Sequence, residues 1–257
     1  LSQPAPDLVA AARRALAALD LTSLGEDDTP ARIEALCAQA AGPGGPPAAV
    51  CVYPEHIGTV RRALDALGLP VVRVATVANF PEGSDDAGRA TRETRRALAA
   101  GADEIDVVFP WRAWQAGDAD SGPRLVEACR AVATGRVLKV ILETGELATP
   151  ELIRGASLAA LDAGADFIKT STGKVAVNAT PEAARVMLEA IRARGGRAGF
   201  KAAGGVRSVA DAAVYLELAD EILGAGWAVP QRFRIGASAL LTEIRSVIAG
   251  TAPAGGG

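Results

Sequence analysis

From residue 49 onward, short β-branched apolar runs alternate with longer amphipathic stretches rich in alanine and leucine. That alternation is the pattern of βα units feeding a parallel sheet. Strands are predicted over 49–53, 71–77, 104–109, 137–143, 166–170, 199–203, 221–223 and 233–236. Helices are predicted over 56–67, 86–100, 123–133, 150–163, 181–194, 208–218 and 238–249. A recurring unit is visible at 98–107, 161–170 and 216–223, where a helix end, usually with glycine, meets an acidic residue and then an apolar run. Eight strands with intervening helices favour a closed (β/α)8 TIM barrel over an open doubly wound sheet. No Gly-x-Gly-x-x-Gly follows the first predicted strand, which weighs further against a dinucleotide-binding sheet.

Residues 7–41 read as two helices. Asp7–Leu19 is alanine-rich, and Thr29-Pro30 offers an N-cap with proline at the first helical position. The expected organisation is a single domain over 1–257. It comprises N-terminal helices and a linker over 1–47 as a helical cap, the barrel over 48–249 and a flexible tail over 250–257.

Strand parity sharpens the pattern, because successive side chains in a strand point to opposite faces. With Asp106 facing the barrel interior, Ile105 and Val107 face the helices. With Lys139 inside, Leu138 and Val140 lie outside. With Lys169 inside, Phe167 shares its face while Ile168 and Thr170 point outward; with Lys201 inside, Phe200 and Ala202 do so. The intervals from Asp106 to Lys139, to Lys169 and to Lys201 are 33, 30 and 32 residues, each about one βα unit. Four neighbouring strands are thus expected to place an ionisable group at similar height.

Composition makes those lysines conspicuous. Of 27 basic residues only four are lysine, at 139, 169, 174 and 201. Arginine replaces lysine wherever a positive charge suffices, but not where an amine must shed a proton and attack a carbonyl. A structural ion-pair network is the bland alternative. A lysine nucleophile held neutral by a neighbouring cation, with Asp106 handling protons, explains the group better.

The remaining composition mostly excludes. A net charge of −3 offers no general attraction to nucleic acid or to a membrane surface. One histidine, His56, rules against multi-histidine metal sites and Ser-His-Asp chemistry, and no metal-ligand cluster is apparent. Cys37, Cys51 and Cys129 are widely spaced and read as buried thiols. Residues 1–10 lack a basic stretch followed by an apolar run, so a cytoplasmic location is expected.

Glycine-rich turns point to an anion. Gly204-Gly205-Val206-Arg207-Ser208 follows one predicted strand, Gly236-Ala237-Ser238 follows another and opens the last helix, and Thr172-Gly173-Lys174 adds an amide and a charge. Backbone N–H groups at such turns bind phosphate, and barrel phosphate sites favour the late loops.

These motifs resemble the 2-deoxyribose-5-phosphate aldolase family of class I, Schiff-base-forming aldolases. The resemblance rests on Asp20-Leu-Thr, Ala75-Thr-Val-Ala-Asn-Phe-Pro, Gly101-Ala-Asp-Glu-Ile-Asp-Val-Val-Phe-Pro, Leu142-Glu-Thr-Gly-Glu-Leu, Gly164-Ala-Asp-Phe-Ile-Lys-Thr-Ser-Thr-Gly-Lys and Gly199-Phe-Lys-Ala-Ala-Gly-Gly-Val-Arg, and runs from about Asp20 to Leu241. It implies that Lys169 forms the Schiff base, that Lys201 lowers its pKa, and that Asp106 works with a water as proton shuttle. Lys139, Asp20 and Thr22 match positions linked to that relay. Gly173, Lys174, Gly204, Gly205, Gly236 and Ser238 match phosphate-binding positions. The implied reaction is reversible cleavage of 2-deoxy-D-ribose 5-phosphate to D-glyceraldehyde 3-phosphate and acetaldehyde, in deoxyribonucleoside catabolism. No metal or other cofactor is implied; the expected partners are small phosphosugars and aldehydes, with a homodimer as the expected assembly. Another Schiff-base lyase, transaldolase-like, and a catalytically silent phosphosugar-binding barrel are the alternatives. Three departures are visible: Ala202 where many relatives have proline, Ala239 where many have a second serine, and a tail without the tyrosine that ends some relatives.

Overall fold

A computed structural model describes residues 7–251. Eight parallel strands close into a barrel in sequence order: β1 (Leu19–Thr22), β2 (Ala49–Val52), β3 (Arg73–Ala78), β4 (Glu104–Val108), β5 (Val137–Ile141), β6 (Phe167–Lys169), β7 (Gly199–Ala203) and β8 (Phe233–Ala237). The protein is a (β/α)8 barrel.

Local chemistry starts the helices as their sequences require. Thr29, Thr149 and Thr180 each precede a proline, and each hydroxyl accepts the N–H three residues on, from Arg32, Leu152 and Ala183. Ser208 and Asp211 form a reciprocal capping box at the helix Val209–Leu223.

Four expectations are corrected. The segment 221–223 is not a strand; it is the last turn of the helix Val209–Leu223. The two genuine helix–strand echoes carry Gly101 and Gly164 at positive φ, which end their helices, whereas 216–223 has no glycine until Gly224. The eighth strand is instead β1, four residues directly after the helix Leu8–Ala17. The barrel therefore begins at Leu19 and not at residue 48. Of the two N-terminal helices, only Leu8–Ala17 precedes the barrel, packing against Val209–Leu223 and Leu240–Ile248. Its Arg14 pairs with Asp220 through two hydrogen bonds of 2.7 and 2.9 Å. The helix Pro30–Ala40 is the first crossover, from β1 to β2. The last helix runs Leu240–Ile248, so Ser238 stands two residues ahead of it. Of the tail, 252–257 lies outside the described residues.

Parity places the apolar core between strands and helices. Ile105, Val107, Leu138, Val140, Ile168, Phe200 and Ala202 all join that main core. On the opposite face, Ala49, Cys51 and Ala75 form a separate small cluster inside the barrel. Barrel interiors are ordinarily filled by bulky branched side chains. Here three small residues on β2 and β3 leave room for long charged ones from the other strands. His56 is buried at a helix start, and Trp111 and Trp227 are buried packing residues.

Candidate active site

Among the described residues the barrel interior holds seven acidic and basic side chains, all at least nine-tenths buried: Asp20 on β1, Glu104 and Asp106 on β4, Lys139 on β5, Lys169 on β6, Lys201 on β7 and Arg234 on β8. Strand register sets them side by side. Asp106 is level with Lys139, Lys169 with Lys201, and Lys201 with Arg234.

Each cation except one touches two carboxylates closely. Lys139 Nζ lies 2.6 Å from Glu104 and 2.7 Å from Asp106. Lys201 Nζ lies 2.5 Å from Asp20 and 2.8 Å from Asp106. The Arg234 guanidinium lies 2.7 Å from Asp20 and grips Glu104 at 2.8 and 3.0 Å. Among the described residues Lys169 Nζ has only the Asp106 carboxylate, at 3.0 Å. Within this hydrogen-bonded cluster three carboxylates thus face four potential cations, and its charge balances only if one cation sheds its proton. Lys169 is the one held least.

The electrostatics follow that geometry. Burial lowers the Lys169 pKa below its ordinary value, and the Lys201 charge lowers it further against the pull of Asp106. Burial acts on Lys201 in the same sense, but Asp106 and Asp20 outweigh it and hold this ammonium firmly protonated. Lys139 is likewise raised against burial, by Asp106, Glu104 and Asp20. Burial opposes ionisation of Asp106, yet Lys139, Lys169 and Lys201 hold it well below the usual carboxylate range. Asp20 is also lowered against burial, by Lys201, Arg234 and Lys139.

Above Lys169, at the C-terminal ends of the strands, opens a cavity of about 340 Å3. It connects the lysine to Thr22, Gly173, Lys174, Gly204, Gly205, Gly236 and Ser238. Gly173, Gly204 and Gly205 adopt positive φ of 85°, 81° and 87°, the left-handed region that glycine tolerates without strain. Any Cβ on Gly236 would lie 3.1 Å from Lys201 Cε, so the missing side chain leaves that lysine its place. Lys174 is exposed, and its Nζ donates to the Leu24 carbonyl at 2.6 Å. Thr22 lines the cavity but makes no hydrogen bond to the charged side chains of the cluster. Its hydroxyl donates to the Asp20 carbonyl at 2.7 Å. A larger hollow of about 930 Å3 lies at the opposite end of the barrel. Among its lining arginines, Arg194 pairs with Asp162 and Arg130 with Asp166, and no buried amine or carboxylate faces it.

Three participants escape the pattern reading. Glu104 lies two residues before Asp106 and Arg234 two before Gly236, so parity alone would have turned both inward. The third is Glu143, two residues past β5 and buried in a left-handed conformation (φ 58°). Its carboxylate accepts the Thr172 N–H at 3.1 Å and the Thr172 hydroxyl at 2.5 Å. The Thr172 oxygen in turn accepts the Lys174 N–H at 3.0 Å, so Glu143 anchors the 172–174 turn. Burial pushes the Glu143 carboxyl up.

Comparison with known proteins bears on the fold and the family. A Toxoplasma gondii protein provisionally named deoxyribose-phosphate aldolase is 29% identical over 95% of this chain and 97% of its own, with a TM-score of 0.87. A Coccidioides immitis protein of the same provisional name is 30% identical over 95% of this chain and 88% of its own, with a TM-score of 0.79. The tetrameric deoxyribose phosphate aldolase of Aeropyrum pernix shares the fold at 24% identity and a TM-score of 0.75, over 95% of this chain and 98% of its own. The profile of the DeoC/LacD family aldolases matches residues 14–243, nearly the whole barrel, and the chain belongs to that family.

Proposed function

We propose that the protein cleaves 2-deoxy-D-ribose 5-phosphate reversibly to D-glyceraldehyde 3-phosphate and acetaldehyde, with Lys169 as the Schiff-base nucleophile. The observation that carries this reading is the uneven sharing of carboxylates: Lys169 has one partner at 3.0 Å where Lys139 and Lys201 each have two closer ones.

As the free amine, Lys169 Nζ attacks C1 of the open-chain aldehyde, and loss of water gives an iminium. A water held by Asp106 takes the proton from the C3 hydroxyl. The C2–C3 bond breaks, its electron pair passing toward the iminium nitrogen, and glyceraldehyde 3-phosphate leaves. The enamine that remains is protonated at carbon and hydrolysed to acetaldehyde and free Lys169. Lys201 stays cationic throughout, disfavours a second ammonium beside it, and holds Asp106 in place. Lys139 and Asp20 support the same carboxylate–ammonium cluster. The phosphate is assigned to the turns that line the 340 Å3 cavity, with the amides of Gly173, Gly204, Gly205 and Gly236 as donors and Lys174 and Ser238 beside them.

Aldehyde release from 2-deoxy-D-ribose 5-phosphate is the test. Lys169→Arg keeps the charge and should abolish turnover, because a guanidinium forms no iminium under these conditions. Full activity in Lys169→Arg would overturn the assignment. Activity limited to ketone donors would favour a transaldolase-like lyase.

A further inference from the structure

Glu104 and Arg234 occupy the floor of the interior charge cluster, behind the groups that meet substrate. Neither lines the cavity above Lys169, and neither touches Lys169. They nonetheless form a doubly hydrogen-bonded pair at 2.8 and 3.0 Å, almost wholly shielded from water. Each also reaches the next layer: Glu104 to Lys139 at 2.6 Å, Arg234 to Asp20 at 2.7 Å. From those two residues the contacts continue to Asp106 and Lys201, and from Asp106 to Lys169.

The charges of this cluster balance. With Lys169 as an amine, Lys139, Lys201 and Arg234 oppose Asp20, Glu104 and Asp106, three against three. Two other titratable groups face Lys169, the Cys51 thiol and the Glu143 carboxyl, and burial favours the neutral form of each. Burial pushes the Cys51 thiol on β2 up, keeping it neutral at ordinary pH. Glu143 is buried beyond the end of β5 and bonded to Thr172 rather than to the cluster, and burial pushes its carboxyl up, toward the neutral form, against the pull of Lys169. In a medium of low polarizability a single uncompensated charge is costly, and the most loosely held group adjusts to cancel it.

We propose that Glu104 and Arg234 are positioning residues that set the net charge of the barrel interior, and through it the pH at which Lys169 becomes a free amine. The proposal rests on Lys169 being the nucleophile. It makes two changes on the same salt bridge act in opposite directions. Removing the Glu104 charge leaves the interior one positive charge in excess, so Lys169 loses its proton more readily. Removing the Arg234 charge leaves one negative in excess, so Lys169 holds its proton to higher pH. A purely structural bridge would weaken the fold in both cases and move the titration in neither.

The experiment measures the rate of borohydride trapping with acetaldehyde as a function of pH, in the intact enzyme and in folded variants verified by circular dichroism. Glu104→Gln should move the acid limb of that profile down and Arg234→Gln should move it up, each on the order of one pH unit, or about tenfold in rate at fixed pH below the limb. Arg234→Lys should stay near the parent, since it keeps the charge. The double variant Glu104→Gln/Arg234→Gln should return the limb to the parent position. If Arg234→Gln does not fold, the downward shift in Glu104→Gln alone decides. Shifts of the same sign, no shift in folded variants, or a double variant as displaced as either single one would overturn the proposal. Failure of the parent to be trapped at Lys169 would instead overturn the nucleophile assignment on which it rests.

Discussion

Lys201→Met isolates the influence of the second lysine on the first. Methionine keeps most of the length and apolar stem and removes the charge. Both ammonium nitrogens sit on the same Asp106 oxygen, at 3.0 and 2.8 Å, so they lie within about 6 Å of each other. At an effective dielectric constant of about 20, two unit charges at that distance repel by about 3 kcal/mol, which corresponds to about two pH units. Lys201→Met should therefore raise the pH at which Lys169 becomes nucleophilic by about that amount. Iminium formation at a fixed pH on the acid limb should fall roughly a hundredfold and recover as the pH is raised. Asp20 retains Arg234 at 2.7 Å and Asp106 retains Lys139 at 2.7 Å, so neither carboxylate is stranded. Some stability will nevertheless be lost, on the order of 3–5 kcal/mol for a broken buried pair, and the variant must be shown to be folded first. The assay is the pH profile of borohydride trapping with acetaldehyde. A folded Lys201→Met whose profile stays in place, or moves to lower pH, would refute the electrostatic role of Lys201.

Other consequences concern the surroundings of the site. Glu143→Ala should free the 172–174 turn and raise the KM for 2-deoxy-D-ribose 5-phosphate roughly tenfold or more, the equivalent of about 1.5–3 kcal/mol for hydrogen bonds to a carboxylate. Cleavage of unphosphorylated 2-deoxy-D-ribose should change far less, and equal losses on both substrates would contradict the anchoring role. Gly199→Ala would put a Cβ 2.4 Å from the Phe167 ring, so thermal unfolding should show a loss of about 1–3 kcal/mol; an unchanged Tm would refute that packing. Asp20 and Asp106 titrate below their unfolded values, so their contribution to stability is complete above about pH 4 and drains away as the pH falls toward the folded values. Denaturant unfolding between pH 5 and pH 2 should show that decline, and Asp20→Asn should flatten it.

Much of the interior was readable from residue types alone, for a physical reason. A strand alternates faces with period two, so one inward residue determines its neighbours, and Asp106, Lys139, Lys169 and Lys201 all emerged on the predicted side. Scarcity of lysine made three of them stand out. The same composition concealed Arg234, one arginine among 23. Glu104 opens the predicted strand 104–109 on the Asp106 face, but an acidic residue at the first position of a strand carries no signal of its own, because such residues are ordinarily solvated. β1 was overlooked because Leu19–Thr22 continues an alanine- and leucine-rich helix without glycine or proline to mark the break. Its mistaken counterpart, 221–223, has the apolar character of a strand but lies ahead of the glycine that stops its helix. The left-handed Glu143 has no local signal, since non-glycine residues enter that region only under tertiary constraint.

The most direct measurement is peptide mapping after borohydride reduction of the enzyme with acetaldehyde. A reduced ethyl adduct on Lys169, absent from Lys139, Lys174 and Lys201, is the predicted result. An adduct confined to any other lysine, or none in an enzyme that still cleaves 2-deoxy-D-ribose 5-phosphate, would contradict Lys169 as the nucleophile.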